Sequence, residues 1–309
     1  MEMRELFSKE LEKEMSKNDN IVVLNADLAK PNGFGNLSKV YPDRVLNVGI
    51  AEQNMACIAA GMSSYGLIPF ICSFTPFATR RICDQIAISV CYANQNVKII
   101  GTDPGISAEY NGGTHMSVED IGVLRSIPNI VIFEPVDNAQ LKALLPEIIK
   151  YKGPVYIRMF RKKTADIFNE SDAFDLFKAK KIKDGKDVSI FCSGIMVEET
   201  LKANKMLEQD GINAEIINIH TIKPIDKESI VESVSKTGAV VTVENHNIIG
   251  GLKSAVSEVV CENCPAPIRS IGIKDKFGQV GKMPFLKEAY KMLDTDIVRA
   301  VKECIKQKF

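Results

Sequence analysis

VLNVGIAEQNMACIAAGMSSYG, residues 45–66, decides the fold class. It opens as a short apolar run, with Val45, Leu46 and Val48 ahead of Gly49. From Met55 onward, small and apolar residues recur at helical spacing. A strand that turns through glycine into a helix is the building unit of α/β sheets. It also exposes the helix's first carboxylate, Glu52, at the edge of the sheet, with apolar chain on either side.

The same alternation runs outward from this stretch. IVVLNADL (21–28), LIPFICSF (67–74), VKIIGT (97–102), NIVIFEP (129–135) and PVYIRMF (154–160) read as strands. Helical patterns such as RRICDQIAISVCYA and DNAQLKALLPEIIKY lie between them. A polar, charged stretch then interrupts the pattern. Beyond it, DVSIFCSG, NAEIINIHTI, GAVVTVENH and PIRSIGI read as strands. Their helices run from Met196 to Asp210, through IDKESIVESVSKTG, from near Gly250, and through TDIVRAVKECIKQ. The expectation is an α/β protein of two doubly wound domains with mainly parallel sheets, covering residues 1–160 and 187–309, joined by a linker at 161–186. Ligands of open α/β sheets sit beyond the carboxyl ends of the strands. That rule points to ADLAKPNG, GIAEQN, FTPFATRR, TDPGISAEYNGGTH and RKK.

Charge narrows the function classes. Lysine plus arginine equals aspartate plus glutamate, 39 each among 309 residues, so no global field would steer nucleic acid or a membrane surface toward the chain. No stretch approaches the roughly 20 apolar residues of a membrane-spanning helix. MEMRELFSKELEKEMSKNDN reads as an amphipathic helix with Leu6, Phe7, Leu11 and Met15 on one face, not as a signal peptide. The eight cysteines are scattered, and CENC (261–264) is a single C-x-x-C without a second pair or nearby histidines. Reduced thiols, a cytoplasmic setting and no metal site on this chain are expected.

Several separated motifs carry a resemblance. VLNVGIAEQNMACIAAGMSSYGL, SFTPFATRRICDQI and GGTHMSVEDIGVLRSIPNIVIFEPVD, in that order, resemble the pyrimidine-binding half of a transketolase. DGINAEIINIHTIKPID and VVTVENHNIIGGLKSAVSEV are similar to the C-terminal domain of the same family. The family's diphosphate-binding domain, with its Gly-Asp-Gly and downstream Asn, has no counterpart, and DGK at 184–186 is not that motif. The resemblance therefore implies the C-terminal subunit of a split transketolase. Its partner, an N-terminal diphosphate-binding subunit, would hold magnesium and the diphosphate of thiamine diphosphate, in an α2β2 heterotetramer acting on sugars.

The resemblance also assigns residues. Glu52 matches the glutamate that bonds a ring nitrogen of thiamine's aminopyrimidine and favours its protonated form. Phe77 and Phe74 fall where aromatics surround that ring, and Asp27 matches a carboxylate near the cofactor. His115, after a Gly-Gly turn, would reach the sugar hydroxyls and assist proton transfer. Arg158 matches a phosphate-binding arginine. His246 reads as structural in the second domain, and His220 as a strand residue.

Three positions depart from the family pattern. Asn111 stands for an acidic residue, Asp103 for a histidine, and Pro31 for a serine that touches the sugar phosphate. A carboxylate at 103 would repel a phosphate dianion. A sulfonated, branched or uncharged sugar tail is the expectation, with Lys30, Arg80 and Arg81 as replacement cations. Rival readings are a beta chain of a thiamine-dependent 2-oxo acid dehydrogenase, a deoxyxylulose-phosphate synthase, and a non-catalytic scaffold subunit.

Overall fold

The computed structural model describes residues 1–308. Twelve strands form two sheets. They are β1 (Ile21–Asn25), β2 (Val45–Asn47), β3 (Ile68–Phe74), β4 (Lys98–Thr102), β5 (Val131–Phe133) and β6 (Val155–Met159). Then come β7 (Lys180–Lys183), β8 (Val188–Cys192), β9 (Ala214–Asn218), β10 (Thr221–Lys223), β11 (Val240–Asn247) and β12 (Ile268–Ile273). The seven-stranded sheet has the order β10-β5-β6-β4-β3-β1-β2, and the five-stranded sheet β12-β11-β8-β9-β7. Every pairing is parallel except β10 on β5 and β7 on β9, both at sheet edges.

Parallel strands covered on both faces read as continuous apolar runs, which is why IVVLN and VSIFC lack polar alternation. Within the first sheet, alternate side chains sort to the two faces. Val22, Leu24, Ile71 and Ile99 pack with Met55, Ala56 and Ala59 of the helix Glu52–Ser64. Val23, Phe70, Ile100 and Phe133 pack with the helices Met3–Met15 and Asn138–Lys150 on the other face. The N-terminal helix buries Leu6, Phe7, Leu11 and Met15, and Met3 with them.

The core on the Met55 side continues into the second sheet, through Phe191, Ile217, Val234 and Val256. That cluster thus spans both domains, while a further apolar cluster lines the other face of each sheet.

Two expectations need correcting. The segment 161–186 is not wholly a linker: Lys180–Lys183 is an edge strand on β9, and Leu176 is buried in the first domain's core. Asp137 accepts from the backbone N–H groups of Ile167 and Phe168, at 2.9 and 2.7 Å, which ties the preceding part down. Second, NAEIINIHTI is not one strand. The chain leaves the second sheet after Asn218 and adds Thr221–Lys223 to the first.

Candidate active site

The carboxyl ends of β1, β2, β3, β4 and β6 meet at one edge of the first sheet. Gly49 turns the chain from β2 toward the next helix with φ +75, a conformation that favours glycine. Glu52 is the first residue of that helix and is 4% exposed. Its Oε1 accepts from Arg81 Nη1 at 2.7 Å. A carboxylate in the first helical turn also meets the positive end of the helix dipole.

Phe74 ends β3, and Phe77 lies in the short helix that follows, Thr75–Ala78. His115 stands edge-on to both, its ring centroid 5.3 Å from Phe77 and 6.1 Å from Phe74. The two phenyl rings are 6.2 Å apart, and the Arg81 guanidinium lies 3.7 Å over Phe77. The imidazole Nδ1 pairs with the Thr114 hydroxyl at 2.9 Å. Glu52, Phe77, Phe74 and His115 are thereby linked through edge-on and tilted ring contacts and Arg81.

Asp27 ends its turn after β1 with φ +59 and is exposed. Its backbone N–H donates to Asn47 Oδ1 at 2.9 Å and its Oδ1 accepts from Asn47 Nδ2 at 3.2 Å, locking the ends of β1 and β2 together. Asn111 is exposed at the end of the kinked 3-10 helical stretch Gly105–Asn111.

Arg158 is not at the sheet edge where a sugar phosphate could reach it. It is 1% exposed, and its guanidinium is consumed inside the protein. Nε and Nη2 bond the two oxygens of Asp120 at 2.7 and 3.2 Å, Nη1 bonds Glu134, and Nη2 also bonds the Asn245 carbonyl at 2.7 Å. Burial alone would raise the Asp120 carboxyl, but the Arg158 guanidinium and His246 hold it below the ordinary range. This knot joins β6 to β11 of the second domain.

Arg161 stands at the edge; the sequence places it in the RKK loop flagged for ligands and at the start of the linker, but assigns it no role of its own. Its Nε bonds Asp103 Oδ2 at 2.5 Å, its backbone N–H bonds Asp103 Oδ1 at 3.1 Å, and its guanidinium lies 4.7 Å over Phe74. It also reaches the Pro31 carbonyl at 3.4 Å. The expectation of a bare negative charge at Asp103 is corrected: the carboxylate is buried and paired. Burial pushes its pKa up, against the pull of Arg161. Of the suggested replacement cations, Arg80 is paired with Glu119 at 2.6 Å and Arg81 with Glu52, while Lys30 is exposed.

His246 is buried at the domain junction, where Gly122 N–H donates to its Nε2 at 3.4 Å, and burial lowers its pKa to about 4. His220 is buried against Phe133 at 5.9 Å.

Residues 1–166 match the family model "Transketolase, pyrimidine binding domain", and residues 177–297 match "Transketolase, C-terminal domain". The chain is 50% identical over 292 residues to the 6-deoxy-6-sulfo-D-fructose transketolase subunit SqwH of Clostridium sp. (strain MSTE9), covering 94% of this chain and 91% of that one. It is 36% identical over 265 residues to a subunit of the apulose-4-phosphate transketolase of Phocaeicola vulgatus, covering 85% of each. A solved structure described as split gene transketolase, inactive beta4 tetramer, superposes with a TM-score of 0.91 at 40% identity, covering 100% of this chain and 99% of that one. The chain belongs to the transketolase family, as a counterpart of its separate subunits that carry the pyrimidine-binding and C-terminal domains.

Proposed function

We propose that this chain is one subunit of a two-chain, thiamine-diphosphate-dependent transketolase that moves a two-carbon ketol unit from a ketose to an aldose. In this reading a separate diphosphate-binding subunit completes an α2β2 heterotetramer and holds magnesium and the diphosphate. The observation that carries it is the pairing of Glu52 with a flat, nitrogen-rich group stacked on Phe77. The Arg81 guanidinium supports this reading, since a planar N–H donor meets both that carboxylate and that ring. Exposed apolar residues beside the site, Ile50 at 76% and Tyr110 at 61%, support a partner that covers it. All eight cysteines are unpaired, which supports a reducing, cytoplasmic setting.

When bound, the cofactor supplies the carbanion chemistry that breaks and makes the sugar's carbon–carbon bond. This chain's residues do the rest. Glu52, nearly desolvated, holds a proton on the ring nitrogen it faces and so raises the acidity of the neighbouring amino group. Phe77 and Phe74 orient a flat ring by stacking, with Asp27 at the same edge. With Nδ1 on the Thr114 hydroxyl, His115 has Nε2 left to exchange protons with a sugar hydroxyl.

Arg161 and Asp103 set the tail preference, with Asn111 on the loop that carries His115. One guanidinium shared with a buried carboxylate leaves little net positive charge. A sulfonate carries a single negative charge and a phosphate up to two, so a nearly neutral pair leaves less uncompensated charge on a sulfonated tail. The sulfofructose and apulose activities named for the relatives support a non-standard tail.

Ketol transfer by the assembled complex, compared across donors with one aldose acceptor, tests this reading. A sulfonated ketose should react best, and Arg161→Ala should raise its KM about tenfold or more, as loss of a charge-assisted bond does. Preference for xylulose or fructose phosphate would contradict the tail assignment.

A further inference from the structure

The seat formed by Glu52 and Phe77 is already filled by this chain. Arg81 Nη1 lies 2.7 Å from Glu52 Oε1, and the same guanidinium lies 3.7 Å from the centroid of Phe77. One flat group thus donates to the carboxylate and lies over the ring. Those are the two contacts an aminopyrimidine would need there. A guanidinium is planar, delocalised and rich in N–H donors, so it is a close chemical stand-in. A ring bound by the same carboxylate and the same phenyl would compete with Arg81 for those contacts.

Little else binds Arg81 in place. Its side chain is 43% exposed, and its backbone carbonyl accepts one long bond, from Gln53 Nε2 at 3.4 Å. Its neighbour Arg80 points to a different partner, Glu119. Arg81 sits in the single turn Arg80–Ile82, followed by a short helical piece and then π-helical turns over Ile86–Tyr92. Irregular helices of that kind concentrate at functional sites. Without a cation, Glu52 would be a buried, unpaired carboxylate, which is costly.

We infer that Arg81 is a placeholder. It holds the aminopyrimidine seat in the cofactor-free chain, keeps Glu52 paired, and swings out to solvent when thiamine diphosphate loads. The inference rests on the reading of Glu52 and Phe77 given above.

Isothermal titration of thiamine diphosphate with magnesium into the assembled two-subunit complex tests it, using wild type, Arg81→Ala and Arg81→Gln. Scanning calorimetry establishes that each variant is folded, and if Arg81→Ala is not, Arg81→Gln decides. Both variants should bind about tenfold more tightly, the worth of one half-exposed ion pair plus one exposed cation–π contact. On a Glu52→Gln background the gain from Arg81→Ala should shrink, because a neutral amide anchors the guanidinium less firmly. Equal or weaker binding by the folded variants overturns the placeholder and leaves the seat itself standing. No binding by the wild-type complex overturns both.

Discussion

Arg158 and Arg161 sit three positions apart at the end of one strand, and burial separates their jobs. Arg158 spends its donors on Asp120, Glu134 and the Asn245 carbonyl, whereas Arg161 faces the site across Phe74. Replacing Arg158 with Met should therefore cost about 3–5 kcal/mol of stability, because two carboxylates are left buried and unpaired. Urea unfolding measures this; a raised substrate KM with unchanged stability would restore Arg158 to the substrate site. His220 gives a pH prediction. Burial lowers its pKa from 6.5 to about 4. The unfolded chain then binds the extra proton first as pH falls, so stability held above the unfolded value is lost between those two values. That loss amounts to about 3 kcal/mol at the acid end, and denaturant unfolding of His220→Leu should show a shallower acid limb. An unchanged slope would refute it. At this scale the strand pattern was enough to put Glu52, Phe77 and His115 at the carboxyl edge of the sheet, while the roles proposed for them came from the family resemblance. The partners of Arg158, Arg161 and Arg81 were not legible, since long-range packing chooses which carboxylate each cation meets.

Strands buried on both faces announce themselves as apolar runs, and the runs legible in the sequence became β1 through β6 with ends trimmed by one to four residues. The edge strands were harder. Lys180–Lys183 has a half-exposed, lysine-rich pattern that protects a sheet edge but reads as solvated linker. The break between β9 and β10 leaves no mark either, because Ile219, His220 and Thr221 are buried in whichever sheet they join. One loop shows how the second domain serves the first. Ile106 N–H donates to Asn245 Oδ1 at 3.0 Å, and Asn245 Nδ2 donates to the Pro104 carbonyl at 2.9 Å. Gly105 has φ +56, and a methyl group on it would lie 2.3 Å from the Asn245 carbonyl oxygen. Gly105→Ala should destabilise the protein by about 3 kcal/mol and displace the loop that carries His115. Thermal unfolding with ketol-transfer kinetics checks both parts, and a variant of wild-type stability and kcat would show that the loop does not depend on this junction.

Across the whole molecule, one of three apolar clusters spans both sheets, while the edge bearing Glu52, Phe77 and His115 remains open beside exposed Ile50. On the proposed reading the partner supplies the other wall of the site, which would link cofactor binding to subunit assembly. The pure chain should neither bind thiamine diphosphate tightly nor turn over, and adding the diphosphate-binding subunit should bring both; titration calorimetry on each preparation checks this, and turnover by the pure chain would refute it. The most direct measurement is ketol transfer by the assembled complex with Glu52 and with Glu52→Gln, alongside cofactor affinity for each. Loss of at least about 100-fold in kcat, the range of a general acid–base contribution, with cofactor still bound, is the predicted result. Equal rates for the two forms, with the cofactor bound to both, would contradict the assignment of Glu52 and with it the proposed chemistry of this site.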